Sequence, residues 1–237
     1  MNASSDPIRE TVTLDRGLPL TVVRRGDGRT RASGVLFVPA AFGVAADLEE
    51  QMGELAREAR VVAAVDPFFR DGRGTIPYGD MPQVMERIRA LDMPTVERDV
   101  MAAVAWMRTQ AVSSLVVVGV CLGAPFALRA AAAGAVEAVV TWHGSRLQDH
   151  LEGASAIRCP VHFHFGSADP VVPPATVSAV RAAFAGRDDV RVFVHEGATH
   201  GFSHRTARAF DAVAEAAAMA SVRAFASSTT GHDAKPS

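Results

Sequence analysis

The chain has 237 residues, 49% of them apolar and 21% charged, with a formal net charge of −2. This is enough apolar material for a sizeable core and suits one α/β domain over residues 8–226. Lysine is scarce and arginine is spread along the chain, which argues against nucleic-acid or polyphosphate partners.

Met1–Asp6 lacks the basic region and apolar run of a secretory leader. No apolar stretch reaches the roughly 18–20 residues of a membrane span, so no membrane partner is expected. Two cysteines, Cys121 and Cys159, cannot build a disulfide framework, and a cytoplasmic location follows as the expectation.

In chain order, Thr11–Leu14 and Leu18–Val23 alternate polar and apolar residues and read as an edge hairpin. A charged loop from Arg24 to Ser33 follows, then the continuous apolar run Gly34–Val38, which reads as a buried parallel strand. Leu48, Met52, Leu55 and Ala56 share one face of a helix predicted over 45–59. Arg60–Val65 is the next strand, and Phe68–Pro82, rich in Gly, Pro, Arg and Asp, reads as a surface excursion.

A helix is predicted over 94–109, a buried strand over 115–120 and a helix over 122–133, with Gly134 suited to its left-handed cap. Strands at 138–142, 161–165 and 190–194, a helix at 174–185 and an alanine-rich helix at 206–226 complete the pattern. Residues 227–237 read as a polar, disordered tail. Alternating strands and helices imply a mostly parallel sheet covered on both faces, with chemistry in the loops at the strands' carboxyl ends.

Three of those loops carry reactive residues. Gly119-Val120-Cys121-Leu122-Gly123 runs from a strand into a helix, the context of a nucleophile turn in which small neighbours let the chain bend tightly. Such a turn aims the Leu122 N–H and the helix N-terminus at a developing oxyanion. The plainer reading of Cys121 is a buried, inert thiol. Asp169, in Gly166-Ser167-Ala168-Asp169-Pro170, follows a strand, although such residues also form ordinary turns.

His200, in Thr199-His200-Gly201, follows the last strand; an exposed loop histidine is its plain alternative. Together the three stand in the chain order of α/β-hydrolases. A thiol that is mostly protonated at neutral pH needs an imidazole to take its proton, and the imidazole needs a carboxylate to fix its tautomer.

Other polar residues carry weaker signals. His143 follows a strand and either lines the pocket or is a plain loop histidine. His162 and His164 point the same way on one strand and with His200 or His204 could suggest a metal, but no carboxylate or cysteine cluster completes such a site. No metal is therefore expected. His150 and His195 carry no motif, and Cys159 reads as structural. Arg70, Arg73, Arg87 and Arg89 read mostly as surface charge, one or two of them available to an anionic substrate.

These residues resemble the dienelactone hydrolase (carboxymethylenebutenolidase) family over roughly Thr11–Phe225. The resemblance rests on Val38-Pro39-Ala40-Ala41-Phe42-Gly43-Val44, Val65-Asp66-Pro67-Phe68, the Gly-Val-Cys-Leu-Gly turn, Gly-Ser-Ala-Asp-Pro-Val-Val-Pro and His-Gly-Phe. It implies an α/β-hydrolase fold, no cofactor, and hydrolysis of a small ester or lactone through an acyl-thiol intermediate. Cys121, Asp169 and His200 would be catalytic, and the backbone N–H groups of Leu122 and Ala41 would hold the oxyanion.

Where the family carries a glutamate that pairs with the resting thiol, this chain has Ala40. The expectation is a direct Cys121–His200 ion pair and a persistent thiolate. Of the two arginines that hold the dienelactone carboxylate in the family, one maps near Arg87 or Arg89. The other maps to His204, with Arg205 beside it. Phe42, His143, His204 and Arg87 are thus the expected substrate-binding residues. A thioesterase or other acyl hydrolase, and a non-catalytic ligand-binding or redox-sensing homologue, are the alternatives. The oligomeric state is left open as a monomer or small homo-oligomer.

Overall fold

The computed structural model describes residues 6–25 and 32–227. The tail expected from 227 onward lies outside these residues, except for Ser227, and so does most of the loop expected at 24–33.

Eight strands form one sheet: β1 (Ile8–Thr13), β2 (Pro19–Arg24), β3 (Ser33–Val38), β4 (Val61–Val65), β5 (Ser114–Val120), β6 (Ala138–Trp142), β7 (Val161–Gly166) and β8 (Val190–His195). Their order is β1-β2-β4-β3-β5-β6-β7-β8. The β1–β2 hairpin joins antiparallel to β4, and every other pairing is parallel. This is the mostly parallel α/β architecture predicted from the alternating pattern.

Six α-helices are present among the described residues: α1 (Ala46–Leu55), α2 (Met81–Ala90), α3 (Met93–Arg108), α4 (Ala124–Ala132), α5 (Pro174–Ala183) and α6 (Ala212–Ser227). Strand side chains alternate between faces, so the apolar runs feed two cores at once. Leu36, Val38, Val117, Phe163 and Phe165 pack with α3, α4 and α5. Val35, Phe37, Val116, Val118 and Val120 pack with α1 and α6 on the other face.

Three segments differ from expectation. Helix α2 lies where no helix was predicted; Pro82 sits in its first turn and Asp80 caps it through the Gln83 N–H. Residues 147–156 form 3₁₀ turns that the sequence did not announce. Helix α6 starts six residues later than predicted, because Asp211 accepts from the Val213 and Ala214 N–H groups at 3.0 Å and fixes the N-terminus there. The released residues, 206–211, extend the turns of 201–205, which carry Ser203, His204 and Arg205 to the end of the sheet.

Candidate active site

Cys121 sits between β5 and α4 with φ 50°, a left-handed conformation unfavourable for a residue with a Cβ. The glycines on either side are sterically required. A Cβ at Gly119 would lie 2.5 Å from Ala124 Cα, and one at Gly123 would lie 2.0 Å from the Val38 carbonyl oxygen. The turn therefore presses α4 against β3 and β5 and presents the thiol beyond the strand ends.

Two further strand-end loops meet the thiol. His200, in the β8–α6 loop, places Nε2 3.1 Å from Cys121 Sγ. Its Nδ1 lies 2.8 Å from Asp169 Oδ2, in the loop after β7. Asp169 is fixed in turn, because its Oδ1 accepts from the Val171 and Val172 N–H groups at 2.8 and 3.0 Å. Gly166 permits this convergence, since a Cβ there would lie 2.2 Å from the Ala198 carbonyl oxygen of the histidine loop.

The electrostatics favour an ion pair. Burial raises the Cys121 thiol, but the His200 charge, hydrogen bonds from His200 and Ser145, and the Leu122 N–H together hold it below its usual value. Burial alone would lower His200; the Cys121 charge and the Asp169 hydrogen bond outweigh it and raise the imidazole to about 10. Each partner thus stabilises the charged form of the other. At Cys159 burial outweighs the nearby Arg187 charge and lifts the thiol to about 11.

The loop after β3 supplies the other side. The Ala40 carbonyl accepts from the Gly43 N–H at 2.9 Å. That bond sets the Ala40–Ala41 peptide plane, whose trans geometry turns the Ala41 N–H the opposite way. Arg87 then anchors the Ala41 carbonyl, donating from Nη1 at 2.8 Å.

Arg87 departs from its expected role. It is 1% exposed, not surface charge. Its Nε and Nη2 donate to Asp71 at 2.6 and 3.1 Å, and Nη2 also donates to the Gly74 carbonyl at 2.7 Å. With all three nitrogens engaged, it braces the loop after β3 and is not a free donor for a substrate. Arg205 is likewise taken up by Glu54 and Glu215. Arg70 pairs with Asp99, and Arg73 with Glu86.

The remaining expected residues gather beside His200. The His143 ring centroid is 4.9 Å from that of His200 and 5.2 Å from that of His204. His204 stacks on Tyr78 at 4.5 Å, and Phe42 meets both edge-on at 5.5 and 4.8 Å. Burial and the neighbouring histidine charges keep His143 neutral. Burial lowers His204 to about 4, despite the opposing pull of the Asp47 carboxylate. Ala40 is buried beside Leu48, Tyr78, Trp142, Ser203 and His204, so these apolar and neutral groups surround the position where the family carries its glutamate.

Four residues of this region had no role in the sequence reading. Ser145 Oγ lies 3.7 Å from the Cys121 sulfur, and Ser203 Oγ lies 2.8 Å from His143 Nε2. The Tyr78 hydroxyl donates to Asp47 Oδ1 at 2.7 Å. No spacing rule joins these residues to the motifs; only the faint signal of a Ser two residues past His143, in a strand-end loop, was available.

Cys121 Sγ and ring nitrogens of His143 and His200 lie within 4.8 Å of one another, a donor set able to take a soft metal as well as to carry thiol–imidazole chemistry. The other grouping suggested by the sequence is divided. His162 and His164 both turn to Ser221 Oγ on α6, at 3.0 and 2.9 Å, away from His200.

A mostly parallel sheet whose strained strand-to-helix turn carries a nucleophilic residue, with an acid and a histidine in later strand-end loops, defines an α/β-hydrolase. A sequence profile of the dienelactone hydrolase family matches residues 21–228, and the chain belongs to that family. A carboxymethylenebutenolidase of Pseudomonas putida is 29% identical over 188 residues, covering 77% of this chain and 79% of that protein.

Two solved structures share the fold. One is a dienelactone hydrolase-like promiscuous phosphotriesterase from metagenomic libraries, with TM-score 0.77 and 24% identity over 94% of this chain and 98% of that one. The other is a dienelactone hydrolase from Anabaena variabilis, with TM-score 0.66 and 18% identity over 93% and 97% of the two chains. Among the described residues no helix is long and apolar enough to cross a membrane.

Proposed function

We propose that the protein hydrolyses a small ester or lactone through an acyl-thiol intermediate on Cys121. The observation that carries this reading is the continuous relay from Cys121 Sγ to His200 Nε2 at 3.1 Å and from His200 Nδ1 to Asp169 at 2.8 Å. The thiolate attacks the carbonyl carbon, and its electron pair forms the C–S bond while the carbonyl oxygen becomes an oxyanion. The N–H groups of Leu122 and Ala41 stabilise that charge.

As the intermediate collapses, the His200 imidazolium gives its proton to the departing alkoxide; in a lactone this is the ring oxygen, which stays tethered to the acyl group. Neutral His200 then takes a proton from water as it attacks the thioester, and the acid leaves with Cys121 restored. Asp169 orients the ring and stabilises the imidazolium throughout.

Ala40 supports a thiolate that is present before substrate arrives, because no carboxylate competes with His200 for Cys121. The test is intact mass spectrometry during turnover of activated esters and lactones. An acyl adduct on Cys121, absent from Cys121→Ala and slow to clear in His200→Ala, is expected. No turnover and no adduct across the panel would sink the proposal.

A further inference from the structure

We infer that the acyl pocket selects uncharged lactones and esters and disfavours those that carry a carboxylate, an inference that rests on the hydrolase reading above. Recognition of an anionic acyl group requires a cation or several free donors near the nucleophile. Of the arginines that the sequence offered for this purpose, Arg89 lies exposed on α2 and the two others are engaged elsewhere. Arg87 is enclosed by Asp71 and the carbonyls of Ala41 and Gly74, and Arg205 is held by Glu54 and Glu215.

The wall next to His200 is built from the rings of Phe42, Tyr78, His143 and His204, packed edge-on or stacked at 4.5–5.5 Å. None of them carries a charge near neutral pH. Behind Tyr78 stands Asp47, 3% exposed, with one oxygen accepting from the Tyr78 hydroxyl and the Leu48 N–H and the other without a partner. The thiolate–imidazolium pair is neutral as a unit, so Asp169 and Asp47 leave the site with surplus negative charge. A carboxylate entering it would lose its water and meet repulsion. A carboxamide of the same shape loses far less and finds aromatic faces.

The experiment uses 5-oxotetrahydrofuran-2-carboxamide and the matching carboxylate, two lactones of equal size that differ by one charge. The expected result is a kcat/KM at least roughly tenfold higher for the amide, the size of effect a like charge produces a few ångströms away in a partly dry site. His204→Arg and Asp47→Asn should each narrow the amide-to-acid ratio several-fold, by adding a cation or removing an anion.

Protection of Cys121 against iodoacetamide by each compound reads the same preference without turnover, and the amide should protect at lower concentration. A wild-type ratio near one, or a preference for the acid, overturns the inference while leaving the hydrolase reading intact. If neither lactone is opened, and the activated esters and lactones above also give no turnover and no adduct on Cys121, the hydrolase reading falls. The order of protection alone then decides the inference.

Discussion

Replacing Arg87 with methionine should damage both stability and rate, because this buried guanidinium is the brace between α2 and the loop after β3, whose Ala41 N–H is proposed to hold the oxyanion. The substitution removes two bonds to Asp71 and one each to the carbonyls of Ala41 and Gly74. The Asp71 side chain is 20% exposed and can recover some hydration, which places the loss below that of a fully buried broken pair. A destabilisation of roughly 2–4 kcal/mol follows.

For a domain of this size, with a urea m-value of about 2–3 kcal/mol/M, that lowers the unfolding midpoint by about 1 M at constant slope. With the Ala41 carbonyl released, the adjacent N–H loses its alignment, and kcat on a neutral activated ester should fall about 10–100-fold with a smaller change in KM. Adding Asp71→Asn to the Arg87→Met variant should return part of the stability but not the rate. A loss below about 1 kcal/mol with kcat intact would show that Arg87 is not the brace described.

Further outcomes follow from the same structure. Iodoacetamide at pH 6.5 should label Cys121 and spare Cys159, as read by peptide mass spectrometry, because the two thiols are shifted in opposite directions. Equal labelling, or labelling of Cys121 undiminished in His200→Ala, would contradict the ion pair.

Acid should weaken the fold through His164, which burial and the charges of His195 and His162 lower to about 3. Between that value and about 6.5 the unfolded chain binds a proton that the native state refuses, so stability is full above about 6.5 and falls as the pH drops. At pH 5 this one group costs about 2 kcal/mol relative to neutral pH, measurable as a shallower pH slope in His164→Gln.

Gly123→Ala should abolish soluble, active protein or cost at least about 3 kcal/mol, since its Cβ would collide with the backbone of β3. Gly186→Ala, at φ 79° with open space around it, should cost only about 1 kcal/mol, with both variants read by thermal melts.

The sheet was legible because buried parallel strands read as unbroken apolar runs, as in Leu115–Val118, and because the nucleophile turn demands glycine on both sides for a reason that a sequence displays. The loops bearing Asp169 and His200 were legible by their order along the chain. Arg87 was not. The usual fate of arginine is the surface, and nothing local tells that Asp71, sixteen residues earlier, is turned back toward it.

Helix α2 was hidden by the Gly- and Pro-rich stretch that leads into it. The beginning of α6 was obscured because Thr206–Ala209 continues the alanine-rich composition that Asp211 in fact interrupts with a cap. Ser145 and Ser203 are small and common, and they matter only through neighbours that three-dimensional folding brings to them.

The turn at Cys121 separates two kinds of constraint. Positions 119 and 123 have no room for a single added carbon, whereas the side chain between them faces rings and hydrogen-bonding groups. The backbone therefore works as a jig: it fixes where the side chain of residue 121 stands, yet is indifferent to which atom ends that side chain. Oxygen or sulfur could occupy the same jig, and the choice falls to the charge of His200 and to whatever stands at position 40. Chemistry here can be exchanged by altering the lining alone, with the frame that positions it left untouched.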